Sequence, residues 1–235
     1  MHRRDLLRAA ACAALGPTAG IDASHIRLER IAIDTYAAWT YLIGADMSAL
    51  TLPRPAPNEA DPYYHGYIAE VPGVNVGEQL VAQLSQIERL CSGLDDHAAL
   101  ARYAPGKWSI KEILGHLCDA ERIFTYRLLR ISRGDATPLP GFDENAYVPV
   151  GKFDDRPLST LLAEFQAIRL SSVALMAGIP GSGWLERGIA SGNSISARAL
   201  AYIILGHASH HMGVLRDRYG VGAETPVGQR AGGTV

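Results

Sequence analysis

Four segments of the 235-residue chain place apolar residues at every third or fourth position, and this spacing restricts the possible folds more than any other feature. A helix with that period has one apolar face, which has to be buried against another element. The segments span residues 77–93, 109–134, 157–178 and 194–219. No series of alternating residues predicts a set of strands. We therefore expect an all-α domain, an antiparallel four-helix bundle, over residues 47–220.

The second and fourth segments carry boundary signals. Ser109 and Glu112 have the spacing of a capping box, in which each side chain accepts a hydrogen bond from the other residue's backbone N–H. Ser194 or Ser196 is expected to cap the fourth helix, and Gly220 is expected to end it. These signals predict two long, uninterrupted helices.

A long connection separates the second and third helices, at residues 135–156. It contains Thr-Pro-Leu-Pro-Gly followed by acidic and aromatic residues, without a helical period. A connection of this length in a compact domain is more often functional than incidental. We expect a long crossover between helices 2 and 3 that has no regular structure and contributes to function.

The first 46 residues are interpreted as an N-terminal extension with two explanations. Arg3 and Arg4 precede a short alanine-rich stretch, which is typical of a twin-arginine export signal. Alternatively, Met47 begins the native protein, and residues 1–46 result from a mis-assigned start codon. We expect a cytoplasmic protein, with export as the alternative. Residues 221–235 are expected to form a flexible tail.

Residues 51–76 are rich in proline and glycine and include Tyr63, Tyr64 and Tyr67. This composition predicts an extended arm ahead of the bundle. An arm of this kind could pack against a second subunit, so a homodimer is one expectation for the assembly. The chain itself says little more about oligomeric state.

Composition excludes several classes of function. The chain has 48% hydrophobic and 20% charged residues, enough apolar material to bury a core. Its net charge of -2 provides no positive field for nucleic acid or an anionic membrane. The chain contains no run of about 18 apolar residues, so no membrane-spanning helix is predicted. Cys12, Cys91 and Cys118 are widely spaced, so neither a disulfide framework nor a cysteine zinc site is indicated.

The fourth helix carries two histidines on its apolar face. His207 and His211 are four residues apart, so they lie about 40° from each other around the helix and can bind one ion together. Within about a quarter-turn of this pair lie four apolar residues, Leu200, Ile203, Ile204 and Val214. His210 lies at the edge of this apolar face and is expected outside the metal shell.

His116 is the third candidate ligand. It lies in the middle of the second helix, beside Ile113, Leu117 and Ala120. Three imidazoles in one apolar interior need partners for their ring nitrogens, and a metal ion satisfies all three at once. Three histidines with an open position are typical of a catalytic metal site. The alternative is that the histidines are hydrogen-bonded core residues.

Two segments together resemble the DinB-like superfamily, the damage-inducible helical family. They are residues 103–116, Tyr-Ala-Pro-Gly-Lys-Trp-Ser-Ile-Lys-Glu-Ile-Leu-Gly-His, and residues 199–211, Ala-Leu-Ala-Tyr-Ile-Ile-Leu-Gly-His-Ala-Ser-His-His. The family includes YfiT-like proteins regarded as metal-dependent hydrolases. The resemblance implies a four-helix bundle with a long crossover and a zinc or nickel ion on His116, His207 and His211. Many members follow the last ligand with Arg-Gly-Gln, where this chain has Met212-Gly-Val.

Other residues are candidates for catalysis or substrate contact. Asp119 lies one turn after His116 and could orient a ligand ring, or it could be an ordinary exposed helix carboxylate. Asp143 and Glu144 could supply a general base from the crossover, or they could simply be solvated. Three residues on segments near the expected mouth of the bundle could contact substrate: Tyr147, Asn193 and Arg198.

The expected function is that of a metal-dependent enzyme acting on a small molecule. A divalent ion with an open position could activate water for hydrolysis or a low-molecular-weight thiol for transfer, and the sequence does not choose between them. The alternative is a non-enzymatic metal or small-molecule binding protein induced by stress. A purely structural bundle is the third interpretation.

Overall fold

The computed structural model describes residues 50–222, so the predicted extension at 1–46 and all but the first two residues of the predicted tail lie outside the described residues. Four long helices form the bundle: α2 (Val76–Cys91), α3 (Ile110–Ser132), α5 (Leu158–Ala177) and α6 (Ala197–Tyr219). Shorter elements are α1 (His65–Glu70), α4 (Glu144–Gly151), β1 (Arg187–Ala190) and β2 (Asn193–Ser196). Both α2 and α3 pack against α5 and α6. The predicted four-helix bundle with a crossover between its second and third helices is confirmed.

The capping residues predicted for the second and fourth long helices cap α3 and α6 in the structure. The Ser109 hydroxyl accepts from the backbone N–H of Glu112 at 3.0 Å, and the Glu112 carboxylate accepts from the backbone N–H of Ser109 at 2.8 Å. Ser196 caps α6 by accepting from the N–H of Ala199. Gly220 ends α6 at φ 66°, a left-handed conformation that glycine adopts without strain.

The crossover was predicted to be structureless, and that prediction is wrong. It contains α4 and a 3-10 turn at Phe153–Asp155. Asp143 begins α4 by accepting hydrogen bonds from the backbone N–H groups of Asn145 and Ala146. The ring of Phe153 is buried against α3. A helix as short as α4 does not produce a clear apolar period, which is why the sequence pattern missed it.

A small β-hairpin accompanies the helices of the bundle. The strands β1 and β2 pair antiparallel, with Ala190 opposite Asn193. Ser191 has φ 53° and Gly192 has φ 81°. Positive φ at both positions is the backbone that a two-residue hairpin turn requires. The crossover adds to this hairpin, since Leu139 N–H donates to the Ile189 carbonyl at 2.8 Å.

Residues 51–76 do not form the expected extended arm. They fold into two 3-10 turns and α1, and α1 packs along α6. The Tyr202 hydroxyl of α6 donates to the Leu52 carbonyl at 2.7 Å, and Ile68 is buried. Leu52, Ile68 and Val71 of this segment are therefore covered by their own chain, and the homodimer stays a prediction.

A polar network crosses the centre of the bundle. The guanidinium of Arg169, in α5, donates two hydrogen bonds of 2.8 Å to Glu121 of α3. It also donates to the side-chain oxygen of Gln83 in α2, and the Gln83 amide donates to the Leu205 carbonyl and the Ser209 hydroxyl of α6. All four long helices are joined in this way. Because Arg169 is fully buried, its charge depends on the Glu121 carboxylate for compensation.

Within the described chain α5 alone is long and apolar enough to cross a membrane. Core helices of soluble bundles meet the same criterion, and α5 packs here against α2 and α3.

Candidate metal centre

His116 from α3 meets His207 and His211 from α6, and we call these three residues the histidine cluster. The Nε2 atoms of His116 and His207 are 3.0 Å apart. One potential ligand atom from each residue lies within 4.8 Å of the others. Ring centroids are separated by 4.6 to 4.9 Å in all three pairs. The structure thus brings together the three histidines that the sequence singled out.

The same four residues, Ile-Leu-Gly-His, occur at 113–116 and at 204–207. In both places the glycine leaves room for another segment of the chain to pack against the helix. A Cβ on Gly115 would stand 2.2 Å from the ring of Phe153, and one on Gly206 would stand 1.9 Å from the carbonyl oxygen of Tyr67. The crossover and the N-terminal segment therefore press against the two ligand helices one residue before a histidine. These contacts cover the helix surface beside each histidine.

Burial keeps the imidazoles neutral. It lowers the pKa of His116 to about 4 and that of His211 to about 3, and it holds the pKa of His207 well below its ordinary value. The principal cause in each case is the free-energy cost of a charged ring in a buried site. Neutral imidazole is the form that binds a metal ion.

The unpaired polar atoms of the cluster fit a divalent cation. His211 Nδ1 is buried without a hydrogen-bond partner among the described residues, a situation that costs free energy. The two facing Nε2 atoms of His116 and His207 form a hydrogen bond only when one ring is protonated at Nε2 and the other at Nδ1. A cation between neutral rings removes both problems, because each ring offers a lone pair to the ion.

Aromatic rings enclose the cluster. Trp108 lies 4.8 Å from the His116 ring, and Tyr67 and Phe124 meet the His207 ring edge-on at 5.4 and 5.5 Å. These rings restrict the movement of the imidazoles. His210 points away to the surface, where its Nδ1 is 3.6 Å from a Glu70 carboxylate oxygen.

The cluster opens into a cavity of about 350 Å³. Its wall combines the cluster with residues from the N-terminal segment, α3, the crossover and the hairpin. Besides the three histidines the lining residues are Asp61, Tyr63, Tyr64, Tyr67, Trp108, Phe124, Phe142, Glu144, Ser191 and Asn193. This volume accommodates a small organic molecule.

Two of the six remaining candidates line this cavity, namely Glu144 and Asn193. Glu144 is half-buried at the start of α4, and Asn193 begins β2. A carboxylate and an amide therefore lie in the same cavity as the histidines, where each can contact a bound molecule.

The structure places the other four candidates away from the cavity wall. Asp119 faces Arg122 at 3.8 Å, and burial raises the pKa of its carboxyl group. Asp143 is occupied as the cap of α4. The Tyr147 ring packs against Phe142, and 47% of the surface of Tyr147 is exposed. Arg198 forms an ion pair with Glu59, with its Nε 3.1 Å from the carboxylate.

The model of the DinB superfamily matches residues 79–215, more than half of the chain. The chain belongs to the DinB superfamily. The match begins in α2 and ends in α6, so it contains all three residues of the histidine cluster.

The fold of this DinB-superfamily protein is similar to a solved structure, YfiT from Bacillus subtilis, described as a probable metal-dependent hydrolase with an unusual four-helix bundle topology. The TM-score is 0.57 at 15% sequence identity, and the alignment covers 75% of this chain and 99% of YfiT. At this identity the likeness concerns the fold. No curated protein matches the chain.

Sequence reasoning missed most of the cavity wall. Asp61, Tyr63, Tyr64 and Tyr67 precede the region matched by the superfamily model, and the sequence composition predicts an extended arm for this segment. One signal could have corrected this. Gly206 lies in the middle of a long helix, where glycine is unfavourable, and such a glycine often marks the close approach of another segment.

Proposed function

We propose that this DinB-superfamily protein is a metal-dependent hydrolase, in which His116, His207 and His211 hold one zinc or nickel ion and the adjoining cavity binds a small organic substrate. The observation that carries the proposal is the convergence of three neutral imidazoles, two buried and one half-buried, at the inner end of a cavity large enough for such a molecule. A solely structural site would not need that cavity.

The number and type of ligands favour catalysis over a structural role. Structural zinc sites are usually closed by four protein ligands, whereas catalytic sites keep a position for water or substrate. The described residues supply three ligands here, all histidines. An ion held by them supplies Lewis-acid activation of water or of a thiol. Hydrolysis agrees with the description given for YfiT.

Residues of the cavity can position the substrate. Burial raises the pKa of the Tyr67 phenol, so Tyr67 stays protonated and can donate a hydrogen bond to a developing negative charge. The Glu144 carboxylate can contact the bound substrate from the cavity wall. The amide of Asn193 can donate to a substrate carbonyl. Phe124 and Trp108 limit the access of bulk water to the cluster.

Thiol transfer uses the same centre and is the second candidate reaction within this proposal. Zinc or nickel on imidazoles can bind a thiolate as well as water. The two reactions differ in what the ion binds besides the three imidazoles, and that difference is measurable.

X-ray absorption spectroscopy of the zinc-loaded protein, with and without 2-mercaptoethanol, tests the proposal. We expect three imidazole ligands and at least one oxygen that does not come from the protein. A sulfur ligand that appears with the added thiol would favour thiol transfer over hydrolysis. A closed shell made entirely of protein atoms would contradict an enzymatic role and support a binding protein.

A further inference from the structure

A continuous series of aromatic rings leads from the surface to the histidine cluster. Tyr63, which is 67% exposed, meets Tyr64 edge-on at 5.1 Å, and Tyr64 meets Phe124 at 6.5 Å. Phe124 in turn meets the ring of His207 at 5.5 Å, and Phe142 packs beside Phe124 at 6.5 Å. The cavity thus has a buried end at the histidines and an outer part walled by aromatic rings.

Two carboxylates share the outer part of the cavity. Asp61 and Glu144 are both half-buried lining residues, whereas His116 and His207 at the inner end are almost fully buried. One oxygen of Asp61 accepts from the backbone N–H of Tyr63, which fixes the carboxylate beside that ring. No lysine or arginine lines the cavity in the part of the chain that the structure describes.

Arg127 is the cation that lies behind this wall. Its guanidinium carbon is 5.9 Å from the centroid of Phe142, and its Nη2 donates to the Pro140 carbonyl and the Ser191 hydroxyl. Only 2% of its surface is exposed. It therefore supports the hairpin and the crossover, and its positive charge lies beside Tyr64 in the cavity wall, where the two carboxylates of the lining outnumber it.

We infer that the outer part of the cavity binds a positively charged end of the substrate, an alkylammonium or quaternary ammonium group. The faces of tyrosine and phenylalanine rings attract such a cation, and Asp61 and Glu144 add two negative charges beside them. A bound metal ion acts at the inner end, where the reacting group lies. The inference rests on the proposed function, because it treats this cavity as the substrate site of the metal centre.

The same charges act against anionic substrates. A low-molecular-weight thiol that carries free carboxylates would place them near Asp61 and Glu144 without a lysine or arginine from the described lining to compensate. Among possible thiols the cavity therefore favours a neutral or amine-bearing compound. This narrows the substrate class for hydrolysis and for thiol transfer alike.

Choline and 3,3-dimethylbutan-1-ol test this inference, because the two molecules have the same shape and differ by the charge of one atom. Their association constants would be measured by isothermal titration calorimetry on the full-length protein, zinc-loaded and metal-free, at constant ionic strength. We expect choline to bind about tenfold more tightly, which is the order of magnitude for a partly desolvated cation beside aromatic rings.

Variants separate the charge and the rings from general packing. The combined substitution Asp61→Asn and Glu144→Gln should lower the preference for choline several-fold and leave binding of the neutral alcohol and zinc content unchanged. Phe142→Leu keeps an apolar side chain and should lower the preference as well. Glu78→Gln removes one exposed carboxylate of α2 outside the cavity and should leave the preference unchanged.

The outcomes for the two proposals are distinguishable. Equal binding of choline and the alcohol, or a preference unaffected by the combined substitution, would overturn the cation site even if zinc binds with one equivalent. A preference for choline in a protein that binds no metal would contradict the proposed function and leave the cation site standing.

Discussion

The backbone carbonyl of Tyr67 lies over Gly206, so close that a Cβ there would be 1.9 Å from the carbonyl oxygen. Gly206 directly precedes His207, and the Tyr67 ring touches the His207 imidazole. One glycine therefore lets the N-terminal segment reach the histidine cluster and complete its cavity. The contact links the fold of that segment to the geometry of the site.

Gly206→Ala should separate α1 from α6. The new methyl group meets backbone atoms, which cannot rotate away as a side chain can, so we expect a loss of about 1–3 kcal/mol in the free energy of unfolding. Urea denaturation measures this loss. Gly213→Ala is the matched control, since the nearest atom to a Cβ there is Arg216 Nη2 at 3.8 Å. We expect that control to be neutral or to gain up to about 1 kcal/mol. Equal stability of the two variants would mean that the contact is not tight.

The buried pair of Arg169 and Glu121 should be sensitive to the loss of one partner. Glu121→Gln leaves the guanidinium without a compensating charge, and we expect the free energy of unfolding to fall by about 3–5 kcal/mol. Chemical denaturation measures the change. Replacing both residues, as Arg169→Met with Glu121→Leu, should recover part of the loss because no charge then stays buried.

A surface pair provides the control for that experiment. Arg122 approaches Glu164 at 2.6 Å but is half-exposed. Because water screens such a pair, Arg122→Met should cost no more than about 1 kcal/mol. If Glu121→Gln were no more costly than Arg122→Met, the network in the bundle centre would not contribute to stability as described.

The sequence predicted the bundle because its long helices carry strong local signals. Ser109 with Glu112, Ser196 and Gly220 each act within one helix turn, so their effect is readable without the tertiary structure. The three histidines could be predicted for the same reason, since their helical positions place them on apolar faces. Only the contact between α3 and α6, which brings the three histidines together, depends on the tertiary structure.

The cavity wall could not be predicted, because it depends on contacts between distant segments. Tyr67 and His207 lie far apart in the chain, and they meet only because Gly206 provides room for the segment that carries Tyr67. Asn193 reaches the cavity through a hairpin whose strands are too short for a clear alternating pattern. Asp119, by contrast, has the right helical spacing from His116, but the structure pairs it with Arg122.

The buried histidines predict how stability changes with pH in the metal-free protein. Folding lowers the pKa of His116 from 6.5 to about 4 and that of His211 to about 3. As the pH falls below about 6.5, histidines of the unfolded chain bind protons that the buried imidazoles of the native protein do not bind. The free energy of unfolding therefore decreases. Each unit of pKa difference between the folded and unfolded states changes the free energy of unfolding by about 1.4 kcal/mol once the pH has passed both pKa values.

Urea denaturation of metal-free protein at pH 7.5, 6.0 and 5.0 should show this decline. The variant His211→Leu should have a shallower decline, because one of the buried titrating rings is absent. A free energy of unfolding that stays constant or rises between pH 7.5 and 5.0 would show that the native imidazoles accept protons in their buried positions.

Metal content of purified variants tests the central claim most directly. Inductively coupled plasma mass spectrometry after dialysis against zinc or nickel should find one equivalent in the parent protein and little in His116→Ala, His207→Ala or His211→Ala. His210→Ala, one residue away and turned toward Glu70, should keep its metal. Stoichiometric metal in His116→Ala, or its loss in His210→Ala, would contradict a centre built from His116, His207 and His211.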